Sequence, residues 1–124
     1  MINKIQVTGV FVSDQDKALA FYRDVLGFEV RNDMRLSEEF RWLEVAPPGA
    51  DVALSLATPM NGGQAGGPSN IIFDTSDMDA TAGALKTKGV TFIQEPAAQP
   101  WGGIMAMFSD PDGNVFSLVQ RTDS

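Results

Sequence analysis

Phe108-Ser109-Asp110-Pro111-Asp112-Gly113-Asn114-Val115-Phe116-Ser117-Leu118-Val119-Gln120 reads as an apolar run, a turn and a closing strand. Pro111 presets φ at one turn position and Gly113 accepts φ > 0, so the stretch predicts a hairpin. Beyond the turn, Val115, Ser117 and Val119 alternate with Phe116, Leu118 and Gln120. A strand that is apolar at nearly every position has to be covered on both faces. A helix layer on one face leaves the other as the floor of a ligand cavity, with Ser117 at its middle.

Moving outward, Ile104–Phe108 is the strand feeding this turn, and residues 95–103, with two prolines and two glycines, read as a loop before it. Upstream, Asn70–Thr75 predicts a strand. Asp77 caps a helix bearing Met78, Ala82 and Leu85, and Gly89 stops it before the strand Val90–Ile93. The first half has the same order. Ile5–Val12 is a strand, Asp14 caps a helix with Ala18, Phe21, Tyr22, Val25 and Leu26 at helical spacing, and Gly27 stops it. Strands Phe28–Arg31, Phe40–Val45 and Val52–Ala57 follow, with Pro47-Pro48-Gly49 as a turn. Residues 59–68 are rich in Gly and Pro and read as a linker between halves.

A shift of 63 lays Val12-Ser13-Asp14 on Thr75-Ser76-Asp77, and a shift of 62 lays Leu54-Ser55-Leu56 on Phe116-Ser117-Leu118. Such a repeat decides the architecture. It predicts one α+β domain over residues 1–124 made of two βαβββ modules, 1–58 and 69–122, joined by the 59–68 linker.

Composition narrows the function classes. The chain has 124 residues, one compact domain's worth, with 44% hydrophobic and 20% charged residues, the balance of a soluble globular protein. A net charge of −7 with no basic run argues against nucleic acid and against an anionic membrane surface. With no Cys and no His, there is no disulfide, no thiol nucleophile and no imidazole to act as base or metal ligand. No signal peptide or long apolar run is visible, so a cytoplasmic location is expected.

The run Val12-Ser13-Asp14-Gln15-Asp16-Lys17-Ala18-Leu19-Ala20-Phe21-Tyr22-Arg23-Asp24-Val25-Leu26-Gly27-Phe28 resembles the first-helix signature of the vicinal oxygen chelate superfamily. That superfamily includes glyoxalase I, extradiol dioxygenases and the bleomycin- and fosfomycin-resistance proteins. Asp110-Pro111-Asp112-Gly113-Asn114, followed by Ser117-Leu118-Val119-Gln120, is similar to the family's terminal hairpin. The resemblance implies paired βαβββ modules forming a curved mixed sheet, helices outside, a concave cleft inside, and usually a homodimer.

The resemblance also implies a metal site, with one ligand from the first and one from the last strand of each module. The first-strand ligand, usually His, falls at Val7 and, in the second module, at Asn70. The last-strand ligand, usually Glu, falls at Ser117 and, by the repeat, at Ser55. Val offers no donor atom, and neutral hydroxyls and an amide are poor ligands for Zn²⁺, Ni²⁺, Mn²⁺ or Fe²⁺. No transition-metal site and no cofactor are therefore expected. A hard ion on Asp74 and Glu44 is the remaining alternative, against a solvated Asp74 at its strand end.

Period-two alternation places Val7, Gly9 and Phe11 on one face, Ser55 beside Ala53, Asn70 beside Ile72, and Ser117 between Val115 and Val119. This is an apolar basin holding two hydroxyls and an amide, suited to a small, partly apolar organic ligand. Trp42, Trp101 and the Met105/Met107 pair are candidates for its rim and lid, or equally for core and interface. Arg41 alternates with Trp42, so only one of them faces inward. The predicted ligand-binding set is Val7, Phe11, Trp42, Ser55, Asn70, Trp101, Met105 and Ser117, with no catalytic residue. Three functions fit: a metal-free protein sequestering a small apolar or aromatic compound, as the bleomycin-resistance branch does; a divergent glyoxalase-type lyase or isomerase, or a metal-free enzyme with Glu44, Glu95 or Asp74 as base; and a non-catalytic assembly module.

Overall fold

The structure, a computed structural model, describes residues 1–59 and 63–121. Residues 60–62 of the expected linker, and residue 122 at the end of the second module, lie outside the described residues. The chain divides into two compact units, the first ending at Gly66 and the second beginning at Gly67.

In the first unit, β1 (Val7–Phe11) leads to α1 (Gln15–Ala20), a π-helical turn (Phe21–Val25), β2 (Glu29–Arg35), β3 (Arg41–Ala46) and β4 (Ala53–Ala57). The sheet order is β1-β4-β3-β2, with β1 parallel to β4 and the other pairs antiparallel. Asp14 caps α1, its Oδ1 accepting the backbone N–H groups of Asp16 (2.9 Å) and Lys17 (3.1 Å). The spacing predicts one uninterrupted helix to Gly27. Instead its last turn widens, Leu26 N–H reaching the Phe21 carbonyl at 3.0 Å. Tyr22 in that turn is fully buried, edge-on to Phe21 at 5.2 Å and 5.9 Å from Phe28. Leu43, Val45, Leu54 and Leu56 form the rest of this core with Val12 and Leu19.

The second unit has the same plan. β5 (Gly67–Asp74), α2 (Met78–Thr87), β6 (Thr91–Ala98), β7 (Ile104–Ser109) and β8 (Asn114–Gln120) give the order β5-β8-β7-β6, with β5 parallel to β8. Asp77 caps α2 through Ala80 N–H at 3.0 Å. Met78, Ala82 and Leu85 of α2 are buried, as are Ala106, Phe108, Phe116 and Leu118 of β7 and β8. Phe73, Phe108 and Phe116 form a ring cluster with centroids 5.0–6.2 Å apart. The chain is thus α+β, two βαβββ units with two four-stranded mixed sheets.

The hairpin turn forms as the sequence predicts. Gly113 takes φ +82° and its N–H bonds the Asp110 carbonyl at 3.0 Å. Buried Asp110 holds the turn, its carboxylate accepting from Asp112 N–H, Asn114 N–H and Asn114 Nδ2 at 2.8–3.0 Å.

β1 starts at Val7 and not at Ile5, β2 runs to Arg35 past its expected end at Arg31, and two further boundaries differ at prolines. β5 starts at Gly67, inside the stretch read as linker, and β6 continues through Pro96 to Ala98, where a loop was expected from Glu95. Both are outer strands of their sheet, where a proline removes no interior ladder bond. Among the described residues, no helix is long and apolar enough to cross a membrane.

Candidate functional site

Each unit covers one sheet face with its helix and leaves the other without a helix layer. On that open face of the first unit, Ser55 stands between Gly9 of β1 and Glu44 of β3. The next row pairs Phe11 with Ala57. Gly9, Val10, Phe11, Ser55 and Ala57 line a cavity of about 260 Å³. Ser55 Oγ fills the space that a Cβ on residue 9 would take, so the hydroxyl sits directly over the β1 backbone.

In the second unit, Ser117 stands between Ile72 of β5 and Met107 of β7. Pro68, Ser69, Asn70, Ile71, Ile72, Met107, Val115 and Ser117 line a cavity of about 230 Å³. The two rows are equivalent under the repeat: Gly9 maps to Ile72, Ser55 to Ser117 and Glu44 to Met107. Asn70 departs from it. β5 bulges between Pro68 and Ile72, and Asn70 takes φ +62° there. Ser69 stitches the bulge, its Oγ donating to the Val115 carbonyl (2.6 Å) and accepting Ile71 N–H (3.1 Å).

The alternation of β3 is settled in favour of Trp42. Trp42 and Glu44 share the open face, and the Trp42 Nε1–H donates to Glu44 Oε2 at 2.8 Å. Arg41 turns to the helix side. Its guanidinium grips Asp33 with two bonds (2.8 and 2.9 Å) and Asp16 with a third (2.7 Å). These bonds raise the Arg41 pKa, Asp33 first and Asp16 second, and hold the Asp33 carboxyl below the usual Asp range.

The predicted set is therefore divided. Phe11 and Ser55 meet in one cavity, and Asn70 and Ser117 in the other. Val7 lies one row from Ser55, opposite Ala53. Met105 lies one row from Ser117, opposite Val119. Trp101 sits at the β6–β7 turn with its ring where a Cβ on Gly103 would stand, near the Gln120 carbonyl and beyond the Ser117 row. Asp74 is exposed at the end of β5, opposite Val119. Among the described residues, no three Asp, Glu, His or Cys side chains converge. Gly9, Ile72, Glu44 and Met107 complete the two rows but were not in the predicted set; the 63-residue shift that pairs Gly9 with Ile72 and Glu44 with Met107 is the signal that finds them.

Paired βαβββ units with a polar residue centred on each open face define a class, and sequence comparison names it. Residues 4–118 match the model of the Glyoxalase/Bleomycin resistance protein/Dioxygenase superfamily, and the chain belongs to that family. It is 39% identical to the uncharacterized protein YetH of Bacillus subtilis over 97% of this chain and 100% of that one. A superfamily member from Sphaerobacter thermophilus has a crystal structure that superposes with TM-score 0.92 at 40% identity, covering 97% and 98% of the two chains. TnmS3, an antibiotic binding protein from Streptomyces sp. CB03234, superposes with TM-score 0.89 at 40% identity, covering 98% of each.

Proposed function

We propose that this protein captures a small apolar or aromatic compound without transforming it and without a metal ion, as a homodimer in the cytoplasm. The observation that carries this reading is the repeated row: in both units a serine hydroxyl at the centre of the open face lines a cavity whose other lining residues are mostly apolar. Such a mixture binds by shape with a few hydrogen bonds.

The residues at the family's metal-ligand positions do not fit a divalent transition-metal ion. Val7 has no donor atom, Ser55 Oγ is packed over Gly9, and Asn70 and Ser117 are neutral. The likeness to TnmS3, described as an antibiotic binding protein, supports capture of such a compound. Phe11, Trp42 and Ile72 stand 41%, 38% and 65% exposed, apolar surface that a second copy would cover in the dimer.

Titration of tryptophan emission with a panel of aromatic antibiotics tests the reading, together with elemental analysis and light scattering. Saturable binding by metal-free protein is expected. Stoichiometric Zn²⁺, Ni²⁺ or Mn²⁺ with metal-dependent lyase activity would overturn it.

A further inference from the structure

Glu44 is a buried carboxylate that the reading above leaves without a role. It is 8% exposed, on the open face of the first sheet, between Asn32 of β2 and Ser55 of β4. A carboxylate has room for about four hydrogen bonds. Glu44 accepts one good one, from Trp42 Nε1 to Oε2, and one at the limit of length, from Asn32 Nδ2 to Oε1 at 3.5 Å.

No described basic group pairs with it. Arg31 is directed to Glu29 and the Pro47 and Ala50 carbonyls, Arg35 to the Ser37 and Glu38 carbonyls, and Arg41 to Asp33 and Asp16. A buried carboxylate without a cation is unfavourable, and an apolar residue of the same size would serve the fold better. The repeat makes the contrast, since the matching position in the second unit is Met107.

We infer that Glu44 is the specificity anchor of the first unit's face, selecting aromatic ligands that are cationic through a protonated nitrogen. The ligand's N–H takes Oε1, the weakly held oxygen, while Trp42 and Phe11, both partly exposed on this face, offer apolar surface to its flat body. A cation gains more here than a neutral donor because Glu44 has no counter-charge. The acidic chain favours its approach. This inference rests on the capture reading and adds the ligand's charge to it.

The test compares 9-aminoacridine, protonated at neutral pH, with acridine, the same ring system uncharged. Wild-type protein should bind 9-aminoacridine at least about tenfold more tightly, the range of one charge-assisted hydrogen bond. Glu44→Gln should remove most of the preference, by weakening 9-aminoacridine and not by tightening acridine. Trp42→Phe frees Oε2, so it should keep or enlarge the preference, read from the dye's own emission; it also serves if Glu44→Gln fails to fold. Equal affinity for the two probes, or a preference that largely survives Glu44→Gln, overturns the inference alone. Failure to bind any aromatic compound overturns the capture reading with it.

Discussion

Ser55 and Gly9 face each other across the parallel β1/β4 pair, and the Ser55 hydroxyl occupies the place of the missing residue-9 side chain. The Ser55 carbonyl oxygen lies 3.1 Å from the same point, so the backbone also crowds it. Gly9→Ala should destabilise the protein by about 1–3 kcal/mol, the usual cost of overfilling a packed site. Ser55→Ala removes the nearer obstacle, so the double variant should recover part of that loss. Urea midpoints of the four proteins give the coupling; no coupling would mean that the hydroxyl simply rotates away.

Gln15 on α1 joins the helix to two strands at once. Its Nε2 donates to the Arg41 carbonyl (3.0 Å) and the Leu56 carbonyl (2.8 Å), on β3 and β4. Gln15→Leu keeps the bulk and leaves both carbonyls without this donor. A loss of about 1–2 kcal/mol is expected, with faster amide exchange confined to the first unit.

The Arg41–Asp33 fork predicts a pH signature. Asp33 is held below its usual pKa chiefly by hydrogen bonds from Arg41, so its contribution is complete above the unfolded value near 4. It is lost as pH falls through the lower, folded value. The Asp33 side chain is 37% exposed, which limits the effect to about 0.5–1 kcal/mol. Asp33→Asn should therefore be less stable than wild type at neutral pH, and the gap should close as the pH is lowered past that window. A gap independent of pH would place the loss in packing.

The repeat, the caps at Asp14 and Asp77 and the Asp110–Asn114 turn were legible because each depends on short-range chemistry. The direction of β3 was not, because Arg41 and Trp42 are both large and amphipathic. What turns Arg41 to the helix side is the pair of carboxylates at Asp16 and Asp33, distant in sequence. Prolines misled the reading at Pro68 and Pro96, because edge position is a property of the sheet and not of the local sequence. Val7 and Asn70 were aligned by counting residues. Counting cannot see that β5 bulges at Asn70 while β1 pairs regularly at Val7, so the two equivalent positions sit on backbone of different conformation.

That bulge supplies the last prediction. Asn70 holds φ +62°, a left-handed conformation that Asn and Gly adopt readily and β-branched residues resist. Asn70→Gly should leave stability within about 0.5 kcal/mol, whereas Asn70→Val should lose about 1–2 kcal/mol. The amide also lines the second unit's cavity beside Ser117. If it contacts ligand, Asn70→Gly should weaken binding of neutral aromatic compounds several-fold while the melting temperature stays put. Binding that follows melting temperature across the two variants, and not the presence of the amide, would make the bulge a device for shaping the cavity, with Ser117 its one polar contact.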